Sequence, residues 1–240
     1  MVIGPIGTII SNLIASGVHG LNNYCSWLVP ALVGAFTPLL VMTGTHYGLI
    51  PIGINNRMTM GYDTLIYPGM LGSNVAQGGA ALAVALKSRK SEIRQLASSA
   101  GITAVCGITE PALYGINIRF KTPLYAAMIG GGAGGFLMGI LNVKNYSGGS
   151  PGFLTLPSYL GGDTLTSFYF ACAGAAVSVV IAFITSYVLY KDPSDENGER
   201  AGGETKSAKQ DSEWDSAERS SGKAVTIAAP LPAKWFRWDR

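Results

Sequence analysis

Lys87-Ser88-Arg89-Lys90-Ser91-Glu92-Ile93-Arg94, the residues 95–118 that follow it, and the basic pair Arg119 and Lys121 decide how this chain folds. Lys and Arg concentrate in the short cytoplasmic loops of membrane proteins. Residues 95–118 are apolar at both ends and interrupted by Gly107, Glu110 and Pro111. With basic groups on both flanks facing the cytoplasm, that segment cannot cross a bilayer. The pattern predicts that it enters, turns and leaves on the same side, as a re-entrant hairpin. Non-helical backbone at membrane depth is tolerated only when it is buried in protein or lines a wet cavity. The turn therefore predicts a cavity.

Working outward, a spanning helix needs about 20 mostly apolar residues. Residues 124–143 and 165–190 meet that standard, and 65–86 is a third, nearly charge-free stretch. The opening forty-three residues offer two more spans, broken near Asn22 and Asn23, the second expected to be interrupted by Pro30 and Pro38. Residues 144–163, rich in Gly, Ser and Pro, read as an external loop. The expected fold is an all-α polytopic membrane protein, with transmembrane helices, at least one re-entrant hairpin and a disordered cytoplasmic tail. Residues 1–190 form the membrane part and 191–222 a flexible linker too poor in apolar surface to order.

Composition points the same way. The 240 residues are 48% hydrophobic and 13% charged, against about 25% charged in soluble domains. Residues 1–190 hold only eight basic and four acidic residues; the last fifty hold nine and ten. The mean hydropathy of +0.30 thus averages an apolar body with a polar tail. This excludes an ordinary soluble domain. The net charge of +3 forms no basic stripe, so nucleic acid is not an expected partner. Cys25, Cys106 and Cys172 lie far apart in apolar stretches, which favours buried thiols over a metal site or a disulfide framework. No metal or cofactor is expected. Met1 leads directly into apolar sequence, without the basic leader of a signal peptide.

Glu110 is the single carboxylate inside the predicted hairpin, in Gly107-Ile108-Thr109-Glu110-Pro111. Intramembrane carboxylates cost at least ~2.5 kcal/mol to insert and mark functional sites. Glycine and proline free backbone groups beside it, and exposed amides, a hydroxyl and a carboxylate together suit a polyhydroxylated ligand such as a sugar. The alternative is a hairpin tip in the aqueous interface with Glu110 merely solvated; the ligand reading is preferred. His46, in Thr43-Gly44-Thr45-His46-Tyr47-Gly48, occupies another helix break, where a lone histidine is more often structural. His19 has weaker claims. Arg57 and Asp63 flank a polar stretch with Asn55 and Asn56, and either contact a cavity or mark a membrane surface, the surface reading being favoured. The run from Gly130 to Gly135 formally matches G-x-G-x-x-G but lacks the preceding strand, so close helix packing is the better reading. Among catalytic patterns, neither a nucleophile elbow nor a Walker loop is present.

The run Gly107-Ile108-Thr109-Glu110-Pro111-Ala112-Leu113-Tyr114-Gly115 resembles the membrane component, enzyme II C, of bacterial sugar phosphotransferase systems, in the β-glucoside-type branch of the glucose superfamily. Gly4-Pro5-Ile6-Gly7, the run from Gly44 to Pro51 with Asn55 and Asn56, and Ser150-Pro151-Gly152 are similar to that family too. The resemblance implies a part of a phosphoenolpyruvate-dependent sugar permease in the bacterial inner membrane, multi-pass, with a cytoplasmic C-terminal tail. Glu110 would hydrogen-bond sugar hydroxyls, with His46 facing it and Thr109, Gly107, Asn55 and Arg57 completing the site. Partners implied are a sugar, with β-glucosides leading, the phosphotransferase B and A domains, the lipid bilayer and, in the complete protein, a second copy.

Departures from the family pattern refine those expectations. The family's phosphorylated cysteine lies in a soluble B domain, and no cysteine here does, so this chain is expected to carry no phosphorylation site of its own. The first half of the usual membrane domain is expected upstream of Met1. Lys223 to Leu231 read like the entry to a soluble A domain, which would continue Gly-Lys-Val. Pro232-Ala233-Lys234-Trp235-Phe236-Arg237-Trp238 follow instead, and their codons, shifted by one frame, can encode that continuation. Residues 223–240 are therefore expected to be a truncated or frameshifted A-domain start. The competing readings are a non-transporting sugar-binding remnant or regulatory protein, and a secondary sugar transporter.

Overall fold

The computed structural model describes residue 20, residues 25–162 and residues 165–192. The expected linker and tail beyond Asp192, His19, and the expected break near Asn22 and Asn23 lie outside them. The described residues are helical throughout, with no strand beyond a single bridge pairing Asp63 with Asn145. Helix α1 is Leu28–Met42, followed by a 3-10 turn, Thr45–Gly48; α2 is Ile50–Met60 and α3 Ile66–Lys87. Helix α4, Ser91–Val105, leads into α5, a bent run of Glu110–Ala112, a π-turn over Leu113–Asn117, and Ile118–Phe120. Helix α6 is Thr122–Ile140, and α7 is Thr166–Leu189 after a 3-10 turn at Phe153–Tyr159. Helices α6 and α7 are both long and apolar enough to cross a membrane.

Pro30 and Pro38 do not interrupt α1, contrary to the expectation from sequence. Pro30 is the third residue, where its missing N–H would have had no intrahelical partner. Pro38 frees the carbonyl of Gly34, and that carbonyl faces Gly131 of α6, where no Cβ stands in its way.

Glycine lets the helices approach this closely. A Cβ on Gly131 would lie 2.4 Å from the Gly34 oxygen, and one on Gly135 only 2.2 Å from that of Pro30. One residue back, Gly130 and Gly134 meet Ala182 and Ser178 of α7. The run 130–135 thus gives α6 two contact stripes, one for α1 and α3 and one for α7. Asn142 ends α6 with φ +50, while the amides of Asn142 and Val143 bond the carbonyls of Gly139 and Met138, the geometry of a Schellman cap.

Helix α3 is the axial element, buried over nearly all its length. Its N-terminus is capped by Asp63, a fully buried carboxylate that accepts hydrogen bonds from the amides of Leu65, Ile66 and Tyr67 and from Asn56 Nδ2 at 2.8–3.2 Å. At the other end Lys87 Nζ donates to the Tyr187 carbonyl at 2.6 Å, capping α7. The segment 91–120 folds as a helical hairpin against α3: Ile93, Ala97, Ala100 and Ala104 of α4 share one core cluster with Ala112 and Ile116 of α5.

The substitution Gly131→Leu should be strongly destabilising, because the obstructing atoms are backbone. Overpacking of this kind costs about 1–3 kcal/mol or more. We expect loss of the monodisperse peak in detergent size-exclusion chromatography, or an apparent Tm lower by several degrees.

Candidate functional site: a cleft at the hairpin tip

The hairpin tip is built by its own sequence. Gly107 takes φ +110; its amide bonds the Ala104 carbonyl at 3.0 Å, and that of Ile108 bonds Thr103 at 2.9 Å. This Schellman turn ends α4 and requires a residue without Cβ. Pro111 then sits in the first turn of α5, where a proline is tolerated. Chain reversal therefore occurs within Gly107, Ile108 and Thr109, which leaves Glu110 exposed at the tip.

The tip opens onto a cleft of about 340 Å³, within the range of small-ligand pockets. Gly107, Thr109 and Glu110 form one wall, His46 and Tyr47 come from the turn after α1, and Ile50 from the start of α2. Helix α3 contributes Tyr67, Met70 and Asn74; α1 contributes Thr37 and Val41; the loop Gly149-Ser150-Pro151 closes the remaining side. Four of the residues singled out in the sequence, Glu110, His46, Thr109 and Gly107, thus line one cavity. Asn55 and Arg57 do not. Asn55 is exposed on α2, and Arg57 is half-buried behind Tyr67, its guanidinium 4.1 Å from the centre of that ring.

Three side-chain donors in the cleft are already committed. Asn74 Nδ2 donates to the Pro151 carbonyl at 2.7 Å, Ser150 Oγ to that of Gly107 at 2.8 Å, and Thr37 Oγ1 to that of Val33 at 2.5 Å. The first two clamp the 149–151 loop onto α3 and onto the hairpin tip. The acceptors are available. Among the described residues the Glu110 carboxylate receives no hydrogen bond or ion pair, and His46 Nδ1 is buried without a partner. Burial pushes the His46 imidazole below its ordinary pKa, against the weaker opposing pull of the Leu40 backbone and the Glu110 charge. It is therefore neutral at pH 7. With the Glu110 carboxylate and the hydroxyls of Tyr47, Tyr67 and Thr109 not engaged by any described residue, the cleft offers acceptors and donors together, which suits a polyhydroxylated ligand.

Sequence reasoning gave no role to Asn74 or Ser150, although each holds a wall. Asn74 carried a readable signal, as a polar residue in an apolar stretch of spanning length. Ser150 carried none beyond its place in Ser150-Pro151-Gly152.

Comparison with known proteins establishes the family. Residues 1–132 match the family described as "Phosphotransferase system, EIIC", and the chain belongs to that family, a membrane-integral component. It is 39% identical over 194 residues to the "PTS system beta-glucoside-specific EIIBCA component" of Bacillus subtilis, covering 80% of this chain and 31% of that protein. To the "arbutin-, cellobiose-, and salicin-specific EIIBC component" of Escherichia coli it is 37% identical, covering 79% and 39% respectively. The trehalose-specific EIIBC component of Escherichia coli is 35% identical, again over 79% of this chain and 39% of its own length. The chain thus spans between three and four tenths of the length of these curated relatives. No solved structure matches it.

Gly107→Ala should strain the tip twice over, through its φ and through a Cβ placed 3.2 Å from the Ser150 and Pro151 carbonyl oxygens. We expect a loss of about 1–2 kcal/mol and faster hydrogen exchange across 149–152. Gly115→Ala, whose Cβ would meet only Leu96 at 3.6 Å, should leave both unchanged.

Proposed function

We propose that this chain is the sugar-binding and translocating part of a phosphoenolpyruvate-dependent sugar phosphotransferase permease, acting on β-glucosides, with separate B and A domains phosphorylating the sugar as it arrives. The observation that carries the proposal is the convergence of Glu110 and the neutral His46 on one cleft that also presents the unengaged hydroxyls of Tyr47, Tyr67 and Thr109. Family membership and the specificities in the names of two of the relatives, for β-glucosides and for arbutin, cellobiose and salicin, support the sugar class.

In this reading Glu110 accepts from two sugar hydroxyls and the His46 ring contacts the sugar from the facing wall. Thr109 and Gly107 offer hydroxyl and backbone contacts, while Asn55 and Arg57, on α2 outside the cleft lining, bear on the site without touching the sugar. The hairpin 91–120 is re-entrant from the cytoplasmic side, α6 leads outward and α7 returns. The tail, with linker 191–222 and A-domain start 223–240, is cytoplasmic. The setting is the bacterial inner membrane, and the complete protein is a homodimer.

Two measurements test this. Binding of radiolabelled salicin to the detergent-purified chain should weaken roughly ten- to hundred-fold in Glu110→Gln, since a charge-assisted hydrogen bond is worth about 1.5–3 kcal/mol. His46→Ala should weaken it less, up to about tenfold, and wild-type affinity in Glu110→Gln would remove that residue from the site. For topology, single cysteines at Ser91 and Thr122, in a background without Cys25, Cys106 and Cys172, should both label from the cytoplasm. Labelling from opposite sides would mean that the hairpin segment crosses.

A further inference from the structure

We infer that Arg57 is a positioning residue that fixes two walls of the cleft at once, the Tyr67 ring and the Gly149-Ser150-Pro151 loop, without itself reaching the ligand. The inference rests on the reading of the cleft as a sugar site.

Four observations carry it. The guanidinium of Arg57 lies over the Tyr67 ring at 4.1 Å, and Tyr67 lines the cleft. On the loop side, Arg57 Nη1 donates to Asn145 Oδ1 at 3.4 Å. That same oxygen accepts from the Gly148 amide at 2.9 Å, and Asn145 Nδ2 donates to Ser158 Oγ at 2.7 Å. Backbone of Gly148 also packs on the guanidinium, where a Cβ would fall 2.8 Å from Nη2. Finally, Gly53, one turn before Arg57 on α2, leaves room for the ring: a Cβ there would be 2.7 Å from Tyr67 Cε2.

Asp63 explains why Arg57 has this task and not that of an ion-pair partner. Its carboxylate is filled by Asn56 and the three amides at the start of α3, and its backbone exchanges two 2.8 Å hydrogen bonds with Asn145. Arg57 therefore completes the joint from the side, by stacking and by one hydrogen bond. A planar guanidinium can do both together, and a lysine ammonium cannot stack flat. Tyr159 closes the far side, donating its hydroxyl to the Tyr67 carbonyl at 3.1 Å. Burial and the Asp63 charge push that phenol well up, so it keeps its proton.

The test places 3-fluorotyrosine at position 67 of the full chain in detergent and reads its fluorine resonance, together with salicin affinity. Arg57→Met should shift the resonance without ligand and weaken salicin about tenfold; Arg57→Lys, which keeps the charge but cannot stack flat, should also shift the resonance and restore only part of the lost affinity. Gly148→Ala leaves α2 untouched and displaces the guanidinium from the loop side, so it should shift the resonance in the same sense; its φ of +80 also strains the loop, so the resonance and not salicin affinity is its readout. It serves as the second variant if Arg57→Met does not fold. An unshifted resonance in Arg57→Met or Gly148→Ala overturns the inference, as does a shifted one with unchanged salicin affinity in Arg57→Met. Failure of salicin to bind the unsubstituted chain instead overturns the sugar reading and, with it, the consequence assigned to Arg57, while a shifted resonance would still establish the Arg57–Tyr67 pairing.

Discussion

Everything in this structure depends on how closely α6 lies against α1, α3 and α7. Between helices in lipid there is no hydrophobic driving force of the aqueous kind, so association relies on packing and on hydrogen bonds. Small residues make the packing dense. Gly34 meets Gly131, Pro30 meets Gly135, and Gly130 and Gly134 meet Ala182 and Ser178, all at distances that leave no space for a Cβ. These contacts bring the end of α1 beside the middle of α3 and so set His46, Tyr67 and Asn74 around one space. A side chain at Gly131 would move α1 outward, and His46 would leave the cleft with it.

The tip wall follows from a different device. The hairpin is seated on α3 by alanine and glycine, with Gly78 against Val105 and Gly101 against Leu82, contacts that are close but not directional. Direction comes from the loop: Ser150 holds Gly107, and Asn74 holds Pro151. Gly152 packs against Cys106 and Gly107, where a Cβ would come within 2.5 Å of backbone. Two of the cleft's donors, on Asn74 and Ser150, are thus spent on fixing its walls.

What the sequence made legible follows from the range of the interactions involved. Helices α3, α6 and α7 were visible at 65–86, 124–143 and 165–190, because long apolar runs report themselves locally, and the turn at Gly107 was visible because glycine and proline act on their own backbone. The continuity of α1 through Pro38 was not, since what accommodates it is a contact with Gly131, far along the chain. Asn74 and Ser150 were missed for the same reason: Asn74 bonds a carbonyl 77 residues away and Ser150 one 43 residues away. Arg57 and Asp63 were noticed as charges but were not separable into a stacking group and a helix cap. Only the fold shows that the carboxylate is already full.

The two sides of the cleft differ in stiffness, and the difference can be traced to polar satisfaction. Around Asp63 and Asn145 the carboxylate, the paired backbones and the Asn145 amide find partners at 2.7–3.2 Å, with only the Arg57 bond longer, so the joint between α2, α3 and the 145–151 loop is well bonded. Under the hairpin the balance is poorer. Asn117, brought inward by the π-turn, reaches the Gln77 carbonyl only at 3.5 Å, and its Oδ1 and both side-chain polar atoms of Gln77 are buried without protein partners. Such groups cost about 1–3 kcal/mol each when left unmet, and π-turns recur at functional sites. The hairpin therefore rests on α3 over a seam that is close-packed but polar and under-bonded, beside a wall that is firmly bonded. Of the two, the hairpin carrying Glu110 is the less tightly held by directional bonds to α3, while the wall of Tyr67, Asn74 and the loop forms the fixed reference against which Glu110 is set.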